Sequence, residues 1–178
     1  MTYTAEFEQW VPVRVEQVFL FFSNPGNLPK IMPPGTGTEV LKVKLVHPAG
    51  TIVEQATITD RPPVAGAGSE LVTSFRIVPF LPFRAEWIAL ITQFEWNHHF
   101  ADVQKKGPFK RFQHRHEFEA EVRGGTEGTR VRDVISYEIG WGILGMLAQT
   151  LFVARQFKKI FRYRQKALEG LLMNNRPG

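Results

Sequence analysis

Two histidines and an aspartate are the residues of this chain best placed to do chemistry. In the run GPFKRFQHRHEFEAEVRGG (107–125), the even positions from Phe112 to Val122 are Phe, His, His, Phe, Ala and Val. The odd positions from Gln113 to Arg123 are Gln, Arg, Glu, Glu, Glu and Arg. A period of two marks a strand with one face hidden from water, and that face carries His114 and His116. Beyond Gly124-Gly125, the run TRVRDVISYEI (129–139) places Val131, Asp133, Ile135, Tyr137 and Ile139 on one face. A two-residue turn at the glycines sets Arg123 against Thr126 and His116 against Asp133. A longer turn leaves that pair as diagonal neighbours.

A buried polar group without a partner costs on the order of 1–3 kcal/mol, and a lone buried carboxylate tends to take up a proton. Pairing Asp133 with His116 relieves both penalties. Such a pair suits three roles: a self-satisfied polar couple in a core, a polar anchor for a ligand in an apolar cavity, or general acid–base catalysis. The catalytic candidates are His116, Asp133 and His114, with no nucleophile or oxyanion motif beside them. His114, His116 and Asp133 could also be drawn as a three-ligand zinc set. Nothing else in the spacing supports that, so neither metal nor cofactor is expected.

These residues need elements to hold them. Tyr3–Val13 alternates loosely as a first strand, and Val15, Val18, Phe19 and Phe22 then fall at helical spacing until SNPGN breaks the helix. NLPKIM reads as a second short helical turn before the PPGTG loop. Strands are expected over 38–46, 51–60, 69–78, 83–96 and 100–107, rich in β-branched and aromatic residues. With the first strand and the histidine hairpin these are eight candidate segments for a sheet of about seven strands, mostly antiparallel because the connections are too short for crossovers. From Leu144 onward apolar residues recur mostly at three to four, through Leu147, Leu151, Ala154, Phe157, Phe161, Leu168 and Leu172, with a polar interruption near Arg164. About 28 helical residues span ~42 Å, close to the ~36 Å of an eleven-residue strand. One long helix across one face of a curved antiparallel sheet gives an α+β domain, and no linker or repeat divides the 178 residues.

Composition narrows the function classes. The chain has no cysteine, so disulfides and thiol chemistry are excluded. The N-terminus lacks a signal-peptide pattern and no run reaches the ~20 apolar residues of a membrane span, so a soluble cytoplasmic protein is expected. The net charge of +5 gathers in the last helix, where Arg155, Lys158, Lys159, Arg162, Arg164 and Lys166 face only Glu169. That helix could make a weak contact with an anionic membrane surface, although a solvated outer face is the ordinary role of such a pattern. The motifs GTGTE and GAGSE lack a P-loop lysine and a following helix. The aromatics sit at buried positions rather than among exposed basic residues, so no nucleic acid is expected.

The chain resembles the SRPBCC superfamily, whose helix-grip fold includes START lipid-transfer domains, birch-pollen-allergen-like proteins and polyketide cyclases. Within it, the chain is similar to a bacterial ligand-binding branch, through VEQVFLFFSNPGNLPKIMPP, FADVQKKGPFKRFQHRHEF, GTRVRDVISYEI and IFRYRQKAL. Asp102, Gln104, Gly107, Pro108, Phe109, His114, His116, Asp133 and Tyr137 match the branch pattern, while Phe112 stands where another aromatic, often Trp, is usual. The resemblance implies a deep apolar cavity between sheet and helix, filled by a hydrophobic small molecule such as a lipid, isoprenoid quinone or polyketide-like compound. The expected wall comprises Phe75, Trp87, Phe112, His114, His116 and Phe118 on the sheet. Asp133 and Tyr137 extend it on the last strand, and Leu147 and Leu151 on the helix. The alternative is a cyclase- or dehydratase-like enzyme using His116, His114 and Asp133 as acid and base.

Overall fold

Alternating strand formers build one eight-stranded antiparallel sheet. The computed structural model describes residues 1–48, 63–76, 82–140, 142 and 152–173, and the backbone of Ile52–Val53. The strands are β1 (Thr2–Val11), β2 (Glu39–Val46), β3 (Ile52–Val53), β4 (Glu70–Arg76), β5 (Arg84–Glu95), β6 (His99–Lys106), β7 (Arg111–Arg123) and β8 (Thr126–Glu138). Their order in the sheet is β1-β8-β7-β6-β5-β4-β2-β3. Seven are of full length and β3 adds a two-residue edge. From β4 to β8 the strands pair with their sequence neighbours, as short connections require, and β1 returns to close against β8. Most of the expected strand over 51–60, the start of the last helix, and Leu147 and Leu151 lie outside the described residues.

Helix α1 (Val15–Ser23) buries Val18 and Phe19. Asn24 then ends it and starts a 3₁₀ helix at Pro25–Ile31, its side chain accepting from the Gly26 N–H at 2.9 Å. The long helix α2 (Ala154–Met173) packs on the same side of the sheet as these two. Its docking is specific. Gln9 donates to the Gln165 carbonyl at 2.9 Å and Gln165 donates back to the Glu8 carbonyl at 3.0 Å. Phe161 stacks face to face on Phe7, with ring centroids 4.1 Å apart. No helix among the described residues is long and apolar enough to cross a membrane.

One core cluster joins Val11, Val18, Phe19, Phe100, Phe118, Val131 and Leu168. A second gathers Ile135, Tyr137 and Phe161. The hidden face of β7 is shorter than its alternation implies. Burial runs to Phe118, whereas Ala120 and Val122 are exposed, because the hairpin tip extends beyond that core.

Candidate functional site

The β7–β8 hairpin turns on Gly124 and Gly125, with φ of 56° and 78°, the left-handed values a two-residue type I′ turn demands. The register follows: Arg123 pairs with Thr126 and His116 stands directly opposite Asp133. β6 extends the same face, with Phe100 opposite His116 and Asp102 opposite His114. Three neighbouring strands therefore bring Asp102, His114, His116 and Asp133 together by backbone pairing alone.

Asp133 serves both histidines. Nε2 of His114 lies 3.0 Å from Asp133 Oδ1 and Nδ1 of His116 lies 2.6 Å from the same oxygen, the second contact too sharply angled for a good hydrogen bond. The rings are stacked obliquely, with centroids 3.9 Å apart. Burial pushes His116 down to about 3, helped by His114 and opposed by Asp133. Burial by itself would raise Asp133, but the attraction of His116 and Arg164 and the contacts with both rings hold it well below the usual carboxylate range. An ionised Asp133 beside a neutral His116 fits both shifts. At Asp102 burial wins: the carboxyl is pushed up, against the pull of His114 and Arg164 and with the help of Asp133.

Arg164 departs from the expectation that the charges of α2 lie on its outer face. Arg155, Lys158, Lys159, Arg162 and Lys166 do, but Arg164 is 8% exposed and sits between Phe161 and Leu168 on the inner stripe. Its guanidinium carbon is 5.1 Å from the Phe22 ring centroid and 5.4 Å from that of Phe161. The polar interruption in the apolar periodicity was the available signal for it. For Asp102 the signal was FADVQ, whose pairing with the histidine strand puts the aspartate on the inner face.

These groups meet a cavity of about 420 Å³ between sheet and α2, within the ~300–1,000 Å³ typical of small-molecule sites. Its wall is mostly apolar. Phe75, Trp87, Phe112, His114 and His116 line it, whereas Phe118, Asp133 and Tyr137 are packed behind it. The lining also takes in Phe22, Ile31, Asp102, Phe109, Phe157 and Arg164, none of them in the expected set. Trp87 meets Phe112 edge to face at 4.6 Å. Gln104 fixes Phe109 by donating to its carbonyl at 2.7 Å and accepting from its N–H at 3.2 Å. A Cβ at Gly107 would collide with that Gln104 side chain, which explains the Q-x-x-G-P-F run in structural terms.

Among the described residues, two groups have donor atoms close enough to hold a metal ion: Asp102, His114 and His116, and the surface group Glu95, His98 and His99. In the first, the fixed charge of Arg164 acts on the Asp102 carboxyl and opposes a cation.

A long C-terminal helix gripping a curved antiparallel sheet over an apolar cavity defines the START-like, SRPBCC class of proteins. Residues 11–158 match the family described as polyketide cyclase/dehydrase and lipid transport, and the chain belongs to it. No curated protein matches the chain in sequence. Among solved structures, a START superfamily protein from Mycobacterium smegmatis is similar, at 16% identity and a TM-score of 0.60, over 96% of this chain and 97% of that one. Norcoclaurine synthase from Thalictrum flavum, in complex with dopamine and hydroxybenzaldehyde, is similar at 14% identity and a TM-score of 0.60, over 100% of this chain and 90% of that one. Ginseng major latex-like protein 151 from Panax ginseng has 12% identity and a TM-score of 0.62, over 96% and 97%. Likeness at these identities concerns the fold.

Proposed function

We propose that the protein acts as a single domain that binds or transports a hydrophobic small molecule, of the lipid, isoprenoid quinone or polyketide-like kind, in the cavity between sheet and α2. The observation that carries this is the cavity wall itself, where aromatic side chains of β4, β5 and β7 face those of α2 around about 420 Å³. Apolar surface left facing a void is costly, and an apolar occupant recovers it. The outer basic face of α2 is assigned to solvent, with any contact to anionic membranes weak and screened by salt.

A second function, acid–base catalysis, is favoured by one observation: Asp102 faces the cavity with its carboxyl pushed up, as a proton donor requires. It shifts the acid from His116 to Asp102, because an imidazole at about 3 is a weak base at neutral pH.

Extraction of natively purified protein with organic solvent, followed by mass spectrometry, tests the proposal. A hydrophobic compound near one equivalent, absent from an unrelated control protein, is expected. When returned to fresh protein it is expected to come back intact, and its conversion would favour the enzyme instead. Empty protein that also fails to take up hydrophobic probes would remove the carrier function.

A further inference from the structure

Arg164 has no role in a purely apolar carrier. A guanidinium keeps its charge in proteins and presents five N–H donors. Here it is nine-tenths buried, lines the cavity, and has an Nε with no hydrogen-bond partner. Phe22 and Phe161 offer their ring faces to the charge, but rings are poor substitutes for hydrogen-bond acceptors. Among the described residues no ion pair joins the guanidinium to a carboxylate. Asp133 is already engaged by His114 and His116. Asp102 is pushed toward its protonated form, in which it is a weaker acceptor. Long-range attraction to Asp133 balances charge without supplying an acceptor, and buried donors left unmet are costly.

We propose that Arg164 receives a carboxylate of the bound molecule, so that the ligand is a hydrophobic monocarboxylate. Its acid group lies against Arg164, and its apolar body lies along Trp87, Phe109, Phe112 and Phe157. This rests on the carrier function above and adds the chemistry of the ligand's polar end. An arginine in the apolar stripe of α2 is otherwise a cost: leucine or methionine there would pack against Phe22 and Phe161 without burying a charge.

The test measures displacement of the neutral fluorophore N-phenyl-1-naphthylamine by dodecanoate and by 1-dodecanol at pH 7.5. It compares delipidated wild type, Arg164→Met and Arg164→Lys. Wild type is expected to bind dodecanoate about tenfold more tightly than dodecanol, the low end of what a charge-assisted hydrogen bond supplies. In Arg164→Met that preference is expected to fall to about onefold with dodecanol affinity retained. Arg164→Lys should lie between, since it keeps the charge and loses the fork. Equal binding of both compounds by wild type, or an undiminished preference in Arg164→Met, overturns the assignment while leaving the carrier function standing. If wild type binds the fluorophore but neither compound displaces it, the assignment fails alone; if wild type does not take up the fluorophore at all, the carrier function fails and the assignment with it. Should Arg164→Met not fold, Arg164→Lys decides: a preference equal to wild type overturns the proposal.

Discussion

His116 lies beneath Phe100 and Phe22, with ring centroids 4.5 Å and 5.6 Å away, and burial there pushes it down to about 3. In the unfolded chain the ring titrates near ~6.5. Between those values the unfolded state binds a proton that the folded state refuses, so stability rises with pH through the window and is lost on acidification. At pH 5 the loss from this one ring reaches ~2 kcal/mol relative to pH 7.5. Asp133, held low, adds a loss of the same sign further down, as pH falls below ~4. Asp102 works in the opposite sense, because its raised pKa lets the folded state keep a proton that the unfolded chain releases, and stability then falls as pH rises toward the folded value. Replacing His116 with Gln removes the titration and keeps a polar amide. Urea midpoints at pH 5 and pH 7.5 are expected to differ less in His116→Gln than in wild type, by about the same ~2 kcal/mol when converted to free energy. The same pH dependence in both proteins would refute a buried neutral His116.

At the scale of elements, the polar cluster depends on a turn remote from it. Gly124 and Gly125 both occupy left-handed φ values, and they set a register that carries seven residues up each strand to His116 and Asp133. A non-glycine residue in that region costs roughly 1–2 kcal/mol, with Asn the best tolerated. The double variant Gly124→Ala/Gly125→Ala is therefore expected to lose ~2 kcal/mol in urea unfolding, while Gly124→Asn stays within ~0.5 kcal/mol of wild type. A double variant as stable as wild type would mean that the hairpin holds its register through side-chain packing alone. This hairpin was also the most legible part of the sequence, because alternation, glycine pair and polar residues on the apolar face narrowed the register to a direct or a diagonal pairing of His116 with Asp133, and the two-residue turn selects the direct one. Helix α1, its SNPGN break and the long last helix were legible for similar local reasons. Arg164 showed only as a polar interruption of the apolar stripe, since helical charge patterns say which face is mostly charged and not which single cation turns inward. Asp102 required the β6–β7 register, a long-range fact that no local period contains. Placing Phe118 and Tyr137 on the inner face was correct, yet inner-face position does not distinguish a packed core from a cavity wall. That difference arises from where α2 lies over the sheet.

For the whole molecule, the cavity stands in the place that a second packed layer would otherwise fill. The sheet's bulges at Ile88/Ala89 and Ile91/Gln93 lie beside cavity-lining Ala89 and Ile91, and bulges bend and twist the strand that holds them. On β5, Trp87, Ala89 and Ile91 all reach the cavity at a period of two, and the middle position carries the smallest side chain of the three. A larger residue at Ala89 would gain dispersion contacts and bury apolar wall, which commonly stabilises a domain by ~0.5–2 kcal/mol. A chain under selection for stability alone would fill such a site. One that must admit a ligand keeps it small. Ala89→Leu is therefore expected to raise the urea midpoint while weakening uptake of N-phenyl-1-naphthylamine severalfold. The two changes must appear together for the argument to hold. Higher stability with unimpaired uptake would place the probe elsewhere, and lower stability with impaired uptake would mean that the strand at Ala89 is already packed to its limit. The expected combination makes the void a binding volume maintained at the expense of stability, with the charge of Arg164 at its wall.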